Sequence, residues 1–137
     1  AVSLKVDDRI RALLLVPDNQ LATSKARKLL PETISHQDAV LNSSRSALLV
    51  HALAERPDLL FTATGDLLHQ KYREPAMPKT IALVEKLRGA GLAAVVSGAG
   101  PSVMVLYAGS EDEIDQVASL APGFTAMKLA VAKAGVQ

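Results

Sequence analysis

Two short apolar stretches, residues 92–97 and 103–108, are separated only by Gly98-Ala99-Gly100-Pro101-Ser102. A continuous apolar run between turn-forming residues is typical of a buried β-strand. Strands that follow each other through a tight turn pair in antiparallel orientation, whereas parallel strands need a long crossover connection. This part of the sequence therefore favours a fold built on an antiparallel sheet.

The loop between these two strands allows two interpretations. Gly98 and Gly100 permit backbone conformations closed to other residues, and consecutive N–H groups in such a turn can form a nest for an anion. The same residues are equally compatible with a hairpin that only reverses the chain. Familiar nucleotide motifs do not fit, because G-x-x-x-x-G-K-[ST] is absent and Val103 occupies the third glycine position of the dinucleotide fingerprint.

Apolar spacing predicts the remaining elements. Three further strands are expected at 1–6, 10–16 and 124–131. Helices are expected at 22–30, 35–55, 57–65, 78–90 and 110–120. Ser35 and Ser110 are the expected N-caps of two of them, each with an acidic residue, Asp38 or Glu113, three positions later. Residues 66–78 hold two prolines and are expected to be irregular. Helices grouped between strands that tight turns pair indicate one α+β domain over residues 1–137, with a mainly antiparallel sheet packed against helices.

Composition excludes several classes of function. Fifteen basic and fourteen acidic residues leave a net charge of +1, so neither nucleic acid nor a membrane surface is expected as a partner. The absence of cysteine excludes disulfides, thiolate metal sites and a cysteine nucleophile, and agrees with a cytoplasmic location. No apolar run approaches the roughly 20 residues of a membrane-spanning helix.

Four blocks of the sequence resemble the GHMP small-molecule kinases, which phosphorylate galactose, homoserine, mevalonate and phosphomevalonate. The loop block, V-S-G-A-G-P-S-V-M at 96–104, is similar to their third conserved motif and alone indicates only this wide family. Three blocks are similar to the homoserine kinase branch in particular: P-D-N-Q-L-A-T-S-K-A-R-K-L-L-P at 17–31, T-I-S-H-Q-D-A-V-L-N at 33–42 and L-H-Q-K-Y-R-E-P-A at 68–76.

The resemblance implies a ferredoxin-like C-terminal domain and a reaction, the transfer of the γ-phosphoryl group of Mg-ATP to the hydroxyl of L-homoserine in threonine biosynthesis. The family's phosphate loop, P-x-x-x-G-x-G-S-S-A, does not occur in the sequence, and the magnesium-ligating acidic residue belongs to the same N-terminal half. We therefore expect the N-terminal ATP-binding domain to be absent and this chain alone to be inactive, with no metal site of its own. The family often dimerises, so a homodimer is expected.

Thr23, Arg27 and Arg73 are the candidates for the acceptor site. Thr23 and Arg27 stand four residues apart and would share one face of a helix, and an arginine can hold a carboxylate through two parallel hydrogen bonds. The resemblance assigns Arg27 and Arg73 to the carboxylate of homoserine and places Thr23, as the catalytic residue, near the reacting hydroxyl. It assigns a supporting role to the third-motif residues Gly98, Ala99, Gly100 and Ser102.

Each of these side chains also has a simpler possible role. Thr23 can be a helix N-cap, and Arg27 can be an ordinary solvent-exposed helix residue. The roles of His69 and Arg45 stay open, since His69 can be purely structural and Arg45 can lay its stem across the edge of the core.

Two alternative functions also remain. One is another GHMP kinase with a mevalonate-type or sugar substrate, because two arginines suit any acceptor that bears a carboxylate and do not exclude mevalonate. The other is a free-standing ferredoxin-like binding or regulatory module, since small domains of this kind often bind ligands or dimerise through an edge strand.

Overall fold

The computed structural model describes residues 4–18 and 23–132, and the side chains of residues 23–25 lie outside that description. Within it, the strands are β1 (Arg11–Pro17), β2 (Ala93–Val96), β3 (Val103–Tyr107) and β4 (Phe124–Ala130). The α-helices are α1 (Thr23–Lys28), α2 (His36–Ala54), α3 (Leu60–Ala63), α4 (Gln70–Arg73), α5 (Pro78–Gly89) and α6 (Glu111–Ser119). Two 3-10 turns, Pro57–Leu59 and Glu74–Ala76, precede α3 and α5.

The strands form a single sheet in the order β2-β3-β1-β4, and every neighbouring pair is antiparallel. Helices occupy the connections from β1 to β2 and from β3 to β4, which gives the β-α-β-β-α-β order of ferredoxin-like folds. The prediction of an α+β fold with an antiparallel sheet packed against helices is confirmed.

The strand predicted at residues 1–6 is wrong where it can be judged. Residues 4–7 are not in a strand, and Leu4 is 60% exposed. Both sides of β1 are already occupied by β3 and β4, so residues 4–7 have no place beside it in the sheet. They run instead beside the end of α2, where the Asp7 N–H donates to the Leu53 carbonyl at 2.8 Å.

The larger core lies between one face of the sheet and the helices α5 and α6. Side chains alternate between the two faces along each strand, and Leu13, Leu15, Val103 and Val105 are all 0% exposed on this face. Each fully buried side chain of this size contributes about 1.5–3 kcal/mol. The helices add Leu83, Val84, Leu87, Ile114 and Val117.

A smaller core joins α2 and α3 to the sheet. Its buried members are Ile10, Ala52, Leu60, Ala63 and Ala93. α2 begins after Ser35, whose hydroxyl accepts a hydrogen bond from the Asp38 N–H at 3.0 Å, as predicted. In the described part of the chain, no helix combines the length and the apolar content needed to cross a membrane.

Candidate functional site

Arg73 is the last residue of α4 and is only 8% exposed. Its Nη1 donates a hydrogen bond to the carbonyl oxygen of Gly98 at 2.9 Å. Its Nε is buried and has no hydrogen-bond partner among the described residues, although buried polar groups are normally paired. A buried guanidinium with an unused donor is suited to bind a carboxylate or a phosphate.

Asp66 fixes the turn that precedes α4. Its carboxylate accepts hydrogen bonds from the backbone N–H groups of His69 at 2.9 Å and Gln70 at 2.6 Å, and Nδ1 of His69 lies 2.9 Å from its Oδ1. Burial acts to raise the pKa of the Asp66 carboxyl, but the hydrogen bonds from Gln70 and His69 outweigh it and hold the pKa below its usual value of 3.8. His69 thus has a structural partner in Asp66.

Two side chains of α2 hold the start of the same segment. The amide oxygen of Asn42 accepts a hydrogen bond from the Leu67 N–H at 2.9 Å. The guanidinium of Arg45 lies against Gly65, where an added Cβ would stand 2.8 Å from Cζ of Arg45. Arg45 therefore packs on the backbone of residue 65, and its role in the structure is to support the segment that leads to α4.

Gln70 connects α4 to the sheet. Its Oε1 accepts a hydrogen bond from the Val96 N–H at 2.6 Å. Val96 belongs to β2, an edge strand of the sheet, so Gln70 supplies a partner for an edge N–H that would otherwise be open to another chain. Together with the contact between Arg73 and Gly98, this bond attaches α4 to the end of β2 at two points.

The loop between β2 and β3 is a tight hairpin closed by its own backbone. The Ser97 N–H donates to the Ser102 carbonyl at 2.8 Å, and the Gly100 N–H donates to the Ser97 carbonyl at 2.9 Å. Gly98 and Gly100 have φ values of 57° and 87°, which only glycine adopts readily. An added Cβ on Gly100 would also stand 2.6 Å from Cε of Met77. The loop therefore reverses the chain, and anion binding by its N–H groups stays a prediction.

Carbonyl groups attach this loop to the helices on either side. The Gly98 carbonyl accepts from Arg73, and the Pro101 carbonyl accepts from the Thr80 hydroxyl at 2.7 Å. Ala99 packs against a small buried cluster of Ala26, Met77 and Ile81. The loop is therefore held in one position between α1, α4 and α5.

The cluster below the loop also fixes α1, which carries the other two candidates. Ala26 is fully buried there, so α1 lies against the loop. Arg27 follows it and is exposed, while the side chain of Thr23 lies outside the described residues. The structure thus brings Arg73 into contact with the loop and places the helix of Arg27 beside it.

Arg73 lines a cavity of about 280 Å³. Its walls come from the 66–73 segment, the end of β2 and the loop, and consist of Asp66, His69, Gln70, Arg73, Val95, Val96 and Gly98. It combines a guanidinium, a carboxylate and an imidazole with apolar surface. This composition suits a small polar metabolite that carries a carboxylate.

A larger cavity of about 650 Å³ has Met77, Thr80 and Pro101 in its wall. Of its two lysines, Lys79 and Lys86, Lys86 is already engaged, because Nζ donates to the Leu120 carbonyl at 2.8 Å. We place the candidate site at the smaller cavity, because it holds the buried guanidinium with an unused donor.

Sequence reasoning missed Asp66, Gln70 and Asn42, which position Arg73. Asp66 had a recognisable signal, since an aspartate just before a helix commonly caps it. The bonds of Gln70 and Asn42 join residues 26 and 25 positions apart and left no local signal. In residues 4–18 and 23–132, no group of three or more His, Asp or Glu side chains is placed to hold a metal ion.

The family model described as GHMP kinases C terminal matches residues 44–121. The matched region contains the second half of α2, helices α3 to α6, the strands β2 and β3, and the loop between these strands. The chain belongs to this family.

Two relatives extend the likeness beyond the matched region. A homoserine kinase of Streptomyces coelicolor is 50% identical over 121 residues, which cover 88% of this chain and 38% of that protein. A homoserine kinase of Rhodococcus opacus is 56% identical over 106 residues, which cover 77% of this chain and 34% of that protein. The chain thus spans little more than a third of the length of these curated relatives.

A solved structure shows the same fold. The crystal structure of a homoserine kinase from Cytophaga hutchinsonii superimposes with a TM-score of 0.85, covering 95% of this chain and 44% of that one. The two sequences are 22% identical over this region, so the likeness concerns the fold.

Proposed function

We propose that this chain is the C-terminal, acceptor-binding domain of a homoserine kinase that transfers the γ-phosphoryl group of ATP to the hydroxyl of L-homoserine, a step of threonine biosynthesis. The observation that carries the proposal is the buried guanidinium of Arg73, which lies beside the loop of the third kinase motif and has an unused Nε donor. The relatives that are named homoserine kinase support it.

The residues of this chain would bind and orient the acceptor. Arg73 holds the carboxylate of L-homoserine at the cavity, and Arg27 binds it from α1. Thr23, four residues before Arg27, stands near the reacting hydroxyl as the catalytic residue. Gly98, Ala99, Gly100 and Ser102 form the rigid wall behind Arg73. Because phosphoryl transfer depends mainly on positioning and on stabilisation of charge, such a grip is a substantial part of the catalysis.

ATP and magnesium belong to another part of the protein in this proposal. Mg-ATP supplies the phosphoryl group and neutralises its charge. The phosphate-loop pattern of the family does not occur in the sequence, and the described residues hold no cluster of metal ligands. An N-terminal ATP-binding domain would therefore complete the site, in a cytoplasmic enzyme that forms a homodimer.

The test is a fusion in which the remaining part of the Streptomyces coelicolor homoserine kinase is joined to this chain. We expect the fusion to phosphorylate L-homoserine with ATP in a coupled ADP-release assay, and to prefer it to mevalonate and to galactose. The chain alone, titrated calorimetrically with Mg-ATP and with homoserine, should bind neither well.

Three results would contradict the proposal. A fusion that prefers mevalonate or galactose would make the chain part of a different GHMP kinase. Tight ATP binding by the chain alone would show a phosphate site that the sequence does not contain. A folded fusion that phosphorylates none of the three acceptors would favour the binding or regulatory module.

A further inference from the structure

The sheet is apolar on both of its faces. On the face toward α5 and α6, the core residues of β1, β2 and β3 are buried: Leu13, Leu15, Ala94, Val103 and Val105. On the opposite face, a row of paired residues crosses all four strands, which we call the open row: Val95, Met104, Leu14 and Met127. α2 and α3 cover part of this face around Ala93. A face of an antiparallel sheet that is left in water normally carries polar side chains, so the open row is expected to be covered as well.

Coverage of the open row is incomplete within the described residues. Val95, Met104 and Leu14 are half-buried, and Met127 is 47% exposed. Beside Met127 on the same strand and face, Leu129 is 36% exposed. Two exposed apolar side chains next to each other on an edge strand, continued by half-buried ones across the sheet, are typical of a surface that another protein surface covers.

The other face of β4 is joined to α6 by ion pairs. Lys128 lies between Met127 and Leu129 and points to the opposite side, where Nζ contacts Glu111 at 2.8 Å and Asp115 at 2.9 Å. These ion pairs tie β4 to α6. The exposed apolar residues of β4 therefore face away from α6, toward the side on which the open row lies.

The open row begins at the candidate site. Val95 lines the cavity around Arg73 and pairs with Met104 across β2 and β3. The exposed member of the row, Met127, lies on β4 at the other edge of the sheet, so only a surface that covers the whole row, from β4 to β2, reaches the cavity. A surface seated there can bring chemical groups to the acceptor without any change in the fold of this chain.

We propose that the open row is the docking surface for the ATP-binding domain of the same enzyme. This inference rests on the proposed function, which requires a phosphate donor to reach the cavity. The curated relatives supply the occupant, since the chain matches 38% of the Streptomyces coelicolor protein and 34% of the Rhodococcus opacus protein. A second copy of this chain would instead bring no phosphate loop to the cavity.

The three methionines of the chain provide a direct measurement. Met104 and Met127 belong to the open row, while Met77 is 4% exposed under the loop and serves as an internal control. Methyl-labelled methionine is followed by NMR with a soluble paramagnetic agent, and Met→Leu variants assign the signals. In the chain alone, the agent should strongly increase the relaxation rate of the Met127 methyl signal and only weakly that of Met77. In the fusion with the rest of the Streptomyces coelicolor protein, Met127 should become as protected as Met77.

A matched pair of variants gives an independent readout. Met127→Glu places a charge on the open row. Ala126→Glu places the same charge one residue earlier, at a position that is also exposed but lies on the opposite face of the sheet. In the fusion, Met127→Glu should lower Tm by about 4 °C or more, and Ala126→Glu by clearly less. In the chain alone, the two variants should have the same small effect.

The inference is overturned if Met127 stays accessible in a folded fusion, or if both charges act alike there. It is also overturned if the chain alone sediments as a dimer that Met127→Glu dissociates, because the occupant is then a second copy. None of these readouts uses substrate. A fusion that protects Met127 but does not phosphorylate homoserine would therefore sink the proposed function and leave the docking surface standing.

Discussion

Asp66 determines the position of Arg73, although the two residues are seven positions apart. Its carboxylate binds the N–H groups at the start of α4, and α4 then delivers Arg73 to the Gly98 carbonyl. The arrangement depends on the charge of Asp66, because ionised acceptors form stronger hydrogen bonds than neutral ones.

We expect Asp66→Asn to lower the free energy of unfolding by about 1 kcal/mol at neutral pH, because it keeps the shape of the cap and removes its charge. The pKa of Asp66 is lowered in the folded state. Its contribution to stability is therefore present above the unfolded pKa and is lost as the pH falls through the folded pKa. Urea unfolding should show that the difference in free energy of unfolding between wild type and variant decreases as the pH falls from about 4 toward 2.

The control for this variant is Asp8→Asn, since the Asp8 side chain is 81% exposed and its ion pair with Lys5 is equally exposed. It should change stability little. If the difference in free energy of unfolding between wild type and Asp66→Asn stays constant over this pH range, the charge of Asp66 does not hold α4.

At the residue scale, the resemblance selected Arg73 from the sequence, but its burial and its bond to Gly98 were not predictable. Both depend on contacts between segments 25 positions apart. The roles of His69 and Arg45 could not be decided from the sequence for the same reason. Only the fold shows that His69 contacts Asp66 and that Arg45 packs against Gly65.

Among the elements, the loop between β2 and β3 is the most constrained. Gly100 combines a positive φ of 87° with direct contact to Met77. The two requirements are independent, because one concerns the backbone and the other the space beside it. Only a residue without a Cβ meets both.

Gly100→Ala is therefore expected to destabilise the fold by about 2 kcal/mol or more, from left-handed backbone strain and displacement of Met77. Gly89→Ala is the control, because nothing lies within 4 Å of a Cβ there and the residue ends a helix. It should be neutral or stabilise by up to about 1 kcal/mol. Urea unfolding measures both, and equal effects of the two variants would contradict this account of the loop.

Local signals predicted most elements. Ser35 and Ser110 start helices through the predicted hydrogen bonds to Asp38 and Glu113, and the apolar run at 10–16 is β1, displaced by one residue. The strand predicted at 1–6 was wrong because alternation shows only that a segment can be half-buried. The places on both sides of β1 are taken by β3 and β4. Residues 66–78 were expected to be irregular but contain α4, whose helical turn depends on Asp66.

For the whole molecule, the strand order β2-β3-β1-β4 is what places the candidate site at one end of an apolar row. The sequence predicted an antiparallel sheet, and the resemblance added its ferredoxin-like type. An exposed second face was not predictable, because Leu14, Met104 and Met127 look like ordinary core residues until the register pairs them.

The central claim is that Arg73 binds the carboxylate of the acceptor. The most direct test compares kcat/KM of the fusion for L-homoserine with that for 3-amino-1-propanol, which lacks the carboxylate, in wild type and Arg73→Ala. Losing one partner of a buried charge pair costs about 2–5 kcal/mol, or roughly 30-fold to several thousand-fold. The account predicts that Arg73→Ala loses this factor for homoserine and little for 3-amino-1-propanol. An equal loss for both substrates would contradict it, because Arg73 would then only support the fold.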